Sequence, residues 1–436
     1  MKKAFICMSI ILTVLFLAPH LIGQQQQPDI KDRIIREGLQ KIRLAVPDFS
    51  PSEATASTIM TAKNLHQVIW DDLEFSGIFQ LIEQSYYQYV GETNPEKINF
   101  EDWASIGAEA LLLGNVAVEQ GKVVFEGRLF HIKSGQMMLG KRYRADPENL
   151  RMVAHTLADE IVLSYTGQKG IANTQIIFTS DRSGNKEVFI MDYDGYNQRK
   201  ITELKSYSIF PDISPDGNSI VFTSYFRGYP DLFLLNRKGG KLVQLTNKQG
   251  LNATPDWSPD GEKIVFTSSR DENAELYIVN RDGSNPHRLT RNHCIDTSPS
   301  WSPTGREVAF TSDKSGTPQI YIIDAEGTNL RRITHQGSYN DCADWSNDGL
   351  KIAYASRVGG IFDIFIINLL DKSIQRVTIN SRSNESPSWA MDSRHLAFAS
   401  NRSRKYQIYI ANADGSLQKQ ITHEGNNYFP CWAGWK

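Results

Sequence analysis

Little in this 436-residue chain invites covalent chemistry or a polyanionic partner. Cysteine occurs four times. Cys7 falls in an N-terminal segment expected to be removed, and Cys294, Cys342 and Cys431 are an odd number that cannot pair completely, so the sequence demands no disulfide. Lys plus Arg number 47 against 49 Asp plus Glu, for a formal charge of −2, which removes the electrostatic reason to expect nucleic acid. The apolar run Ala4–Ala18 is too short to span a bilayer comfortably, so no direct membrane insertion is expected. The chain has no G-x-S-x-G elbow, no H-E-x-x-H, no C-x-x-C and no phosphate-binding glycine loop, and no enzyme, metal or cofactor is expected.

What is present divides the chain into five parts. Lys2 and Lys3 precede the apolar run and Pro19 follows it, the shape of a secretory signal peptide over 1–23, with Gly23 as its last residue. No Cys follows to carry a lipid. Residues 24–38, QQQQPD and then IKDRIIREG, read as a mobile N-terminal arm. Residues 39–166 read as an α/β domain, 167–173 as a short linker, and 174–436 as a repeat domain.

In the α/β part, KIRLAVPDF from Lys41 reads as a strand, and Ser50-Pro51-Ser52-Glu53 predicts an N-cap, a proline at the first helical position and a capping Glu. The helix that follows carries Ile59, Ala62, Leu65, Ile69 and Leu73 on one face. A strand at Ile78–Ile82, a short helix at Phe100–Ile106, a strand at Ala110–Val118 and a meander through Val123–Ile132 and Gln136–Tyr143 are predicted next. Asp146-Pro147 then opens a last helix with its own stripe of Leu150, Val153, Ala154, Leu157 and Ile161. The linker is too brief for free movement, so a defined interface with the repeat domain is expected.

The repeat domain has a strict period. The runs IIFTS, IVFTS, IVFTS, VAFTS, IAYAS and LAFAS begin at 176, 220, 264, 308, 352 and 396, each 44 residues after the last. A second apolar run starts at 188 and steps identically, and each unit closes on Thr202, Thr246, Thr290, Thr334, Thr378 or Thr422. Four short strand signals in 44 residues make one β-propeller blade, because a sheet of that size cannot bury both faces until neighbours stack on it. The first strand of a blade lies around Trp257, Trp301, Trp345 or Trp389, with Ile213 in the earliest full unit, and is followed by SPDG-type turns. The first unit begins at its second strand and the chain ends on a spare first strand, YFPCWAGW. The fold class expected is therefore multidomain α/β plus all-β: an α/β domain and a six-bladed propeller closed by pairing the C-terminal strand with the first blade, which removes open edges.

Asp192-Tyr193-Asp194-Gly195 faintly resembles the start of a calcium loop but lacks the remaining ligands and reads as a β-turn. His293, His335 and His423 follow the closing threonines of their units but have no counterparts in the others, and read as loop residues. The interblade loops remain. They should ring one mouth of the channel, with Tyr207, Ser208, Leu251, Asn252, Thr254, Asp296, Thr297, Ser298, Asn340, Asp341, Asn384, Glu385, Asn426 and Asn427 as the candidate partner-binding residues. A polar ring on a rigid scaffold, without a catalytic constellation, points to protein recognition. The competing readings are a merely hydrated channel and a propeller that binds or processes a small oligosaccharide or peptide there.

The whole mature chain resembles the TolB family of periplasmic propellers. AVPDF at Ala45–Phe49, GAEALLLGNV at Gly107–Val116, LADEIVLSYTGQKGI before the propeller, DYDGYNQ at Asp192–Gln198 and the PDWSPDG-type repeats carry the likeness in the same order. The resemblance implies a periplasmic, non-enzymatic, monomeric component of the Tol-Pal system. It would dock the peptidoglycan-associated lipoprotein Pal at the propeller mouth and the periplasmic C-terminal domain of TolA through the arm, at Ile30, Arg33, Ile34 and Ile35, supporting outer-membrane integrity and constriction at division. The arm is where the sequence departs from the family's pattern.

Overall fold

A computed structural model describes residues 41–91 and 97–435. The signal peptide and the arm, with Ile30, Arg33, Ile34 and Ile35, lie outside the described residues.

The α/β domain is a sheet with two long helices on one face. Its strands are β1 (Ile42–Ala45), β2 (Ser50–Pro51), β3 (Phe79–Leu81), β4 (Ala110–Glu119), β5 (Lys122–His131) and β6 (Gln136–Ala145), in the order β3-β1-β4-β5-β6 with β2 beside β4. β1 runs parallel to β3 and β4, whereas β4, β5 and β6 form the antiparallel meander that Gly121 and Gly135, both at positive φ, turn.

Helix α1 spans Ala56–Phe75, five residues later than the SPSE signal predicts. Ser50–Pro51 instead pairs with Asn115 and Val116 of β4. The cap is Thr55, whose hydroxyl accepts from Thr58 N while Thr58 Oγ1 accepts from Thr55 N, so a threonine pair does the work expected of Ser50 and Glu53. Ala62, Leu65, Ile69 and Leu73 are buried as their spacing requires; Ile59, on the first turn, is exposed. Helix α2 is Phe100–Ser105, and helix α3 (Leu150–Thr166) buries Val153, Ala154, Leu157 and Ile161.

Six four-stranded blades follow. Blade one consists of Asn427–Trp435, Thr174–Ser180, Glu187–Asp192 and Arg199–Lys200, so the C-terminal strand pairs antiparallel with the first repeat, Trp432 opposite Ile176. The innermost strands of blades two to six are Ser208–Ile213, Asn252–Trp257, Asp296–Trp301, Asn340–Trp345 and Asn384–Trp389. Packing runs between blades: Val265, Leu276 and Ile278 of blade three bury against Trp301, Val308 and Phe310 of blade four. The period makes that interface recur, and each fully buried Phe or Ile contributes about 1.5–3 kcal/mol.

The linker is clamped rather than free. Asp159 on α3 accepts from Ala172 N at 2.8 Å and from Asn173 N at 3.1 Å, and burial raises its pKa against those bonds. Phe75 at the end of α1 joins a core with Tyr193, Ala390, Ile410 and Trp432 of the propeller. A buried polar knot crosses the same interface. Asp72 lies 2.7 Å from His155 Nδ1 and accepts from Tyr193 Oη at 2.5 Å, and Arg151 pairs with Asp194. Burial disfavours the charge of both partners, so it lifts the pKa of Asp72. His155 nevertheless ends up raised, because the Asp72 carboxylate holds its proton. A second histidine, His395, bridges Asp392 in the propeller and the Phe75 carbonyl, each at 2.7 Å. The DYDG turn is thus a domain anchor, through Tyr193 and Asp194.

Candidate functional site: the mouth of the channel

Each innermost strand is bulged. The register with its neighbour slips between Ala253 and Asp256, Thr297 and Ser300, Asp341 and Asp344, and likewise in the other blades. At the bulge Phe210, Thr254, Ser298, Cys342, Ser386 and Phe429 all take left-handed backbone, with φ between 49° and 53°. None is glycine, and Thr254 is β-branched, so six copies of an unfavourable conformation are held by the surrounding sheet. The bulge turns these side chains into the channel, where they line a cavity of about 140 Å³ at the mouth.

Two residues further on, Asp212, Asp256, Ser300, Asp344, Ser388 and Cys431 border both this cavity and a second one of about 350 Å³ on the far side, so they form the neck. Neck side chains tie each blade to the next. Asp212, Asp256 and Asp344 accept from the backbone N–H of Trp257, Trp301 and Trp389 at 2.6–2.7 Å, and Ser300 and Ser388 do the same for Trp345 and Trp432. Enclosure in the wall raises the carboxyl pKa values against those bonds, to about 6 for Asp212 and about 7 for Asp344, and it lifts Asp256 well above the ordinary carboxylate range, with Asp212 adding repulsion. The PD and AD pairs before Ile213, Trp257 and Trp345 were visible in the repeat, but as blade-building motif rather than as a ring of carboxylates.

The structure divides the residues predicted for the mouth into two groups. Ser208, Asn252, Asp296, Asn340, Asn384 and Asn427 begin the innermost strands and are buried. Asn252 Nδ2 and Thr246 Oγ1 both donate to Asp231 Oδ1, at 3.0 and 2.8 Å, and Thr246 Oγ1 in turn accepts from Leu232 N. The same device recurs as Asn340 and Thr334 on Gln319, Asn384 and Thr378 on Asp363, and Asn427 and Thr422 on Gln407. Asp296 accepts from Asn292 Nδ2 at 2.8 Å. Ser208 pairs with Ser224. Asn252, Asn340, Asn384 and Asn427 thus join blades, Asp296 is tied to the interblade loop and Ser208 to its own blade, so all six are buried rather than presented at the mouth; for the four asparagines a closing threonine at constant distance was the signal.

Leu251, Thr254, Thr297, Ser298, Asp341, Glu385 and Asn426 remain half-exposed around the mouth, and Tyr207 is exposed. Asp341 accepts from Thr311 Oγ1 at 2.8 Å, Glu385 from Tyr406 Oη at 2.7 Å, and Asn426 donates to Asp181 at 2.9 Å. Such residues are held in fixed positions with polar valence to spare, suited to recognition. Among the described residues no cluster of His, Cys, Asp or Glu is arranged to hold a metal ion, and Cys294, Cys342 and Cys431 are all unpaired. No described helix is long and apolar enough to cross a membrane.

Comparison with known proteins agrees with this architecture. The family described as the TolB amino-terminal domain matches residues 33–138, and the TolB beta propeller domain matches 163–434. The Tol-Pal system protein TolB of Geobacter metallireducens is 36% identical over 217 residues, 50% of this chain and 49% of that protein. Its counterpart in Geobacter sulfurreducens is 34% identical over 206 residues, 47% of each chain. The chain thus aligns with about half the length of these relatives. The crystal structure of TolB from Acinetobacter baumannii superimposes with a TM-score of 0.80 at 24% identity, over 90% of this chain and 97% of that one, which shows the shared fold. Because the propeller match alone covers more than half of its residues, this chain belongs to the TolB family.

Proposed function

We propose that this chain is a periplasmic, non-enzymatic, monomeric protein-binding component of a Tol-Pal envelope complex, whose open propeller mouth docks the peptidoglycan-associated lipoprotein Pal. One observation carries the reading. The turns that hold the α/β domain lie at one end of the blades, around Tyr193 and His395, whereas the rigid half-exposed ring of Leu251, Thr254, Thr297, Ser298, Asp341, Glu385 and Asn426 lies at the other. Loops presented on a stiff scaffold are where binding concentrates. The arm, with Ile30, Arg33, Ile34 and Ile35, is the TolA-binding element on this reading, and the signal-like N-terminus delivers the chain to the periplasm, where it supports outer-membrane integrity and constriction at division.

Calorimetric titration of the full mature chain with the soluble domain of Pal tests the reading. Saturable binding that weakens at least tenfold in a Thr297→Arg, Asp341→Lys double variant supports it. No heat at micromolar concentration, with uptake or cleavage of a small oligosaccharide or peptide instead, overturns it. Asp296 is left unchanged because it is buried.

A further inference from the structure

The mouth is not uniform. Across blades one and two aromatic rings, bridged once by a lysine, run from the rim into the channel. Tyr225 and Tyr207 meet edge to face at 6.2 Å; Lys186 Nζ sits 5.8 Å from the Tyr207 ring and 4.6 Å from that of Tyr428. Tyr428 touches Phe429 at 5.9 Å, and Phe429 packs on Phe210 at 4.1 Å inside the mouth. Tyr207 is 55% exposed and Tyr229, beside the same hairpin, 64%.

The repeat does not require these rings. The position of Tyr225 is held by Asp181, Ser269, Asp313, Arg357 and Asn401 in the other blades, and that of Tyr428 by Ile209, Ala253, Thr297, Asp341 and Glu385. Phe210 and Phe429 stand where the other blades have Thr254, Ser298, Cys342 and Ser386. An aromatic that folding does not need, left exposed beside others, marks a contact surface.

Carboxylates and cations both border the track, and they differ in how they are engaged. Lys186, Lys205, Arg227 and Lys248 form no ion pair among the described residues, whereas the nearby carboxylates are engaged: Glu203 by Lys200, Asp181 by Asn426 and Glu385 by Tyr406. From this complementarity we infer that the aromatic track of Tyr225, Tyr207, Tyr428, Phe429 and Phe210, with Lys186 set in it, is the anchoring strip of the mouth and takes an extended acidic segment of the docked protein. An apolar side chain of that segment enters against Phe210 and Phe429, and a carboxylate lies on Lys186. Buried aromatics with a desolvated charge dominate interfaces, and the remaining contacts supply shape.

The inference rests on docking at the mouth, and the test separates the two. The full mature chain is titrated with the soluble domain of Pal at low and high salt, using Tyr207→Ala, Tyr428→Ala and Lys186→Ala, with Lys314→Ala and Thr317→Ala on the blade-four hairpin of the same face as controls. Melting curves accompany each variant, and Tyr207, being exposed, leaves the fold unperturbed even if Tyr428→Ala does not. The expected result is at least a tenfold loss for each tyrosine variant, a loss and a flatter salt dependence for Lys186→Ala, and controls within twofold of the parent. Parent-like affinity of Tyr207→Ala and Lys186→Ala overturns the strip while leaving docking at the mouth intact. Absence of binding by the parent overturns both. Binding of a peptidoglycan disaccharide-peptide that the tyrosine variants abolish overturns the assignment to a protein segment.

Discussion

At one end of the propeller, the turns after the first and third strands are covered by the α/β domain, and its contacts are buried: Asp72 with His155 and Tyr193, His395 with the Phe75 carbonyl. At the other end, built by the same repeats, the interblade loops lie in the open and their polar groups are only half-buried. The repeat fixes the backbone at both ends equally. What differs is where each end spends its polar groups: the covered end uses them on a neighbouring domain, whereas the open end uses one layer to join blades and leaves a second, half-exposed layer at the mouth.

The strongest way to break this comparison is to open the ring that both ends share. Deleting residues 427–436 removes the strand opposite Thr174–Ser180 and leaves the edge of Thr174–Ser180 exposed, so the truncated chain is expected to lose its cooperative melting transition or to oligomerise on a sizing column. A monomer with the parental melting temperature would mean that closure contributes little.

Next in size is the covered end. Asp72→Ala strands a buried histidine and a buried tyrosine hydroxyl, a loss of roughly 3–5 kcal/mol of the kind that follows breaking a buried pair. Denaturant melts should show the α/β domain destabilised, and titration with Pal should be unchanged. Loss of Pal binding would show that the two ends are coupled.

Within the wall, Asn252→Ala leaves Asp231 and Ser268 short of a partner and should cost about 1–3 kcal/mol, measured by chemical denaturation. The same change at a residue that faced a partner would leave stability untouched.

The neck gives a pH-dependent effect. Asp344, at about 7 in the folded chain against roughly 3.9 when unfolded, holds its proton more tightly when folded. Its contribution to stability is present in full below about pH 4 and is lost as pH rises through 7. Asp344→Asn keeps an acceptor for Trp389 N, so it should stabilise the protein by on the order of 1–2 kcal/mol at pH 8 and leave it unchanged at pH 4. Equal melting shifts at both pH values would contradict the raised pKa. The smallest effect belongs to the open ring: Thr297→Arg with Asp341→Lys should change stability by about 1 kcal/mol, through the bond lost from Thr311 Oγ1, while Pal affinity falls.

Much of the fold was legible without coordinates. The 44-residue period, the alternating apolar strands, the SPDG turns and the spare C-terminal strand each reflect a local rule, and local rules survive in any context. The start of helix α1 was misplaced because Ser50 and Thr55 both offer a capping hydroxyl. Only pairing of Ser50–Pro51 with β4, more than sixty residues away, decides between them. The site was legible as a place and not as a list of residues. Asn252 and Leu251 are neighbours in an interblade loop, yet one is locked onto Asp231 and the other reaches the mouth, because strand register assigns their side chains to different sides.

The sequence by itself determined the number of blades, their strand order and the chain's partition into two folded parts, since repetition and hydrophobic period act over short distances. The tertiary structure alone decided which polar residues are interior and which stay open at the mouth, and it brought Tyr207 and Tyr428 to either side of Lys186 although they lie far apart in the chain. Closing a ring sets the two ends of a sequence side by side, and no local pattern records that neighbourhood.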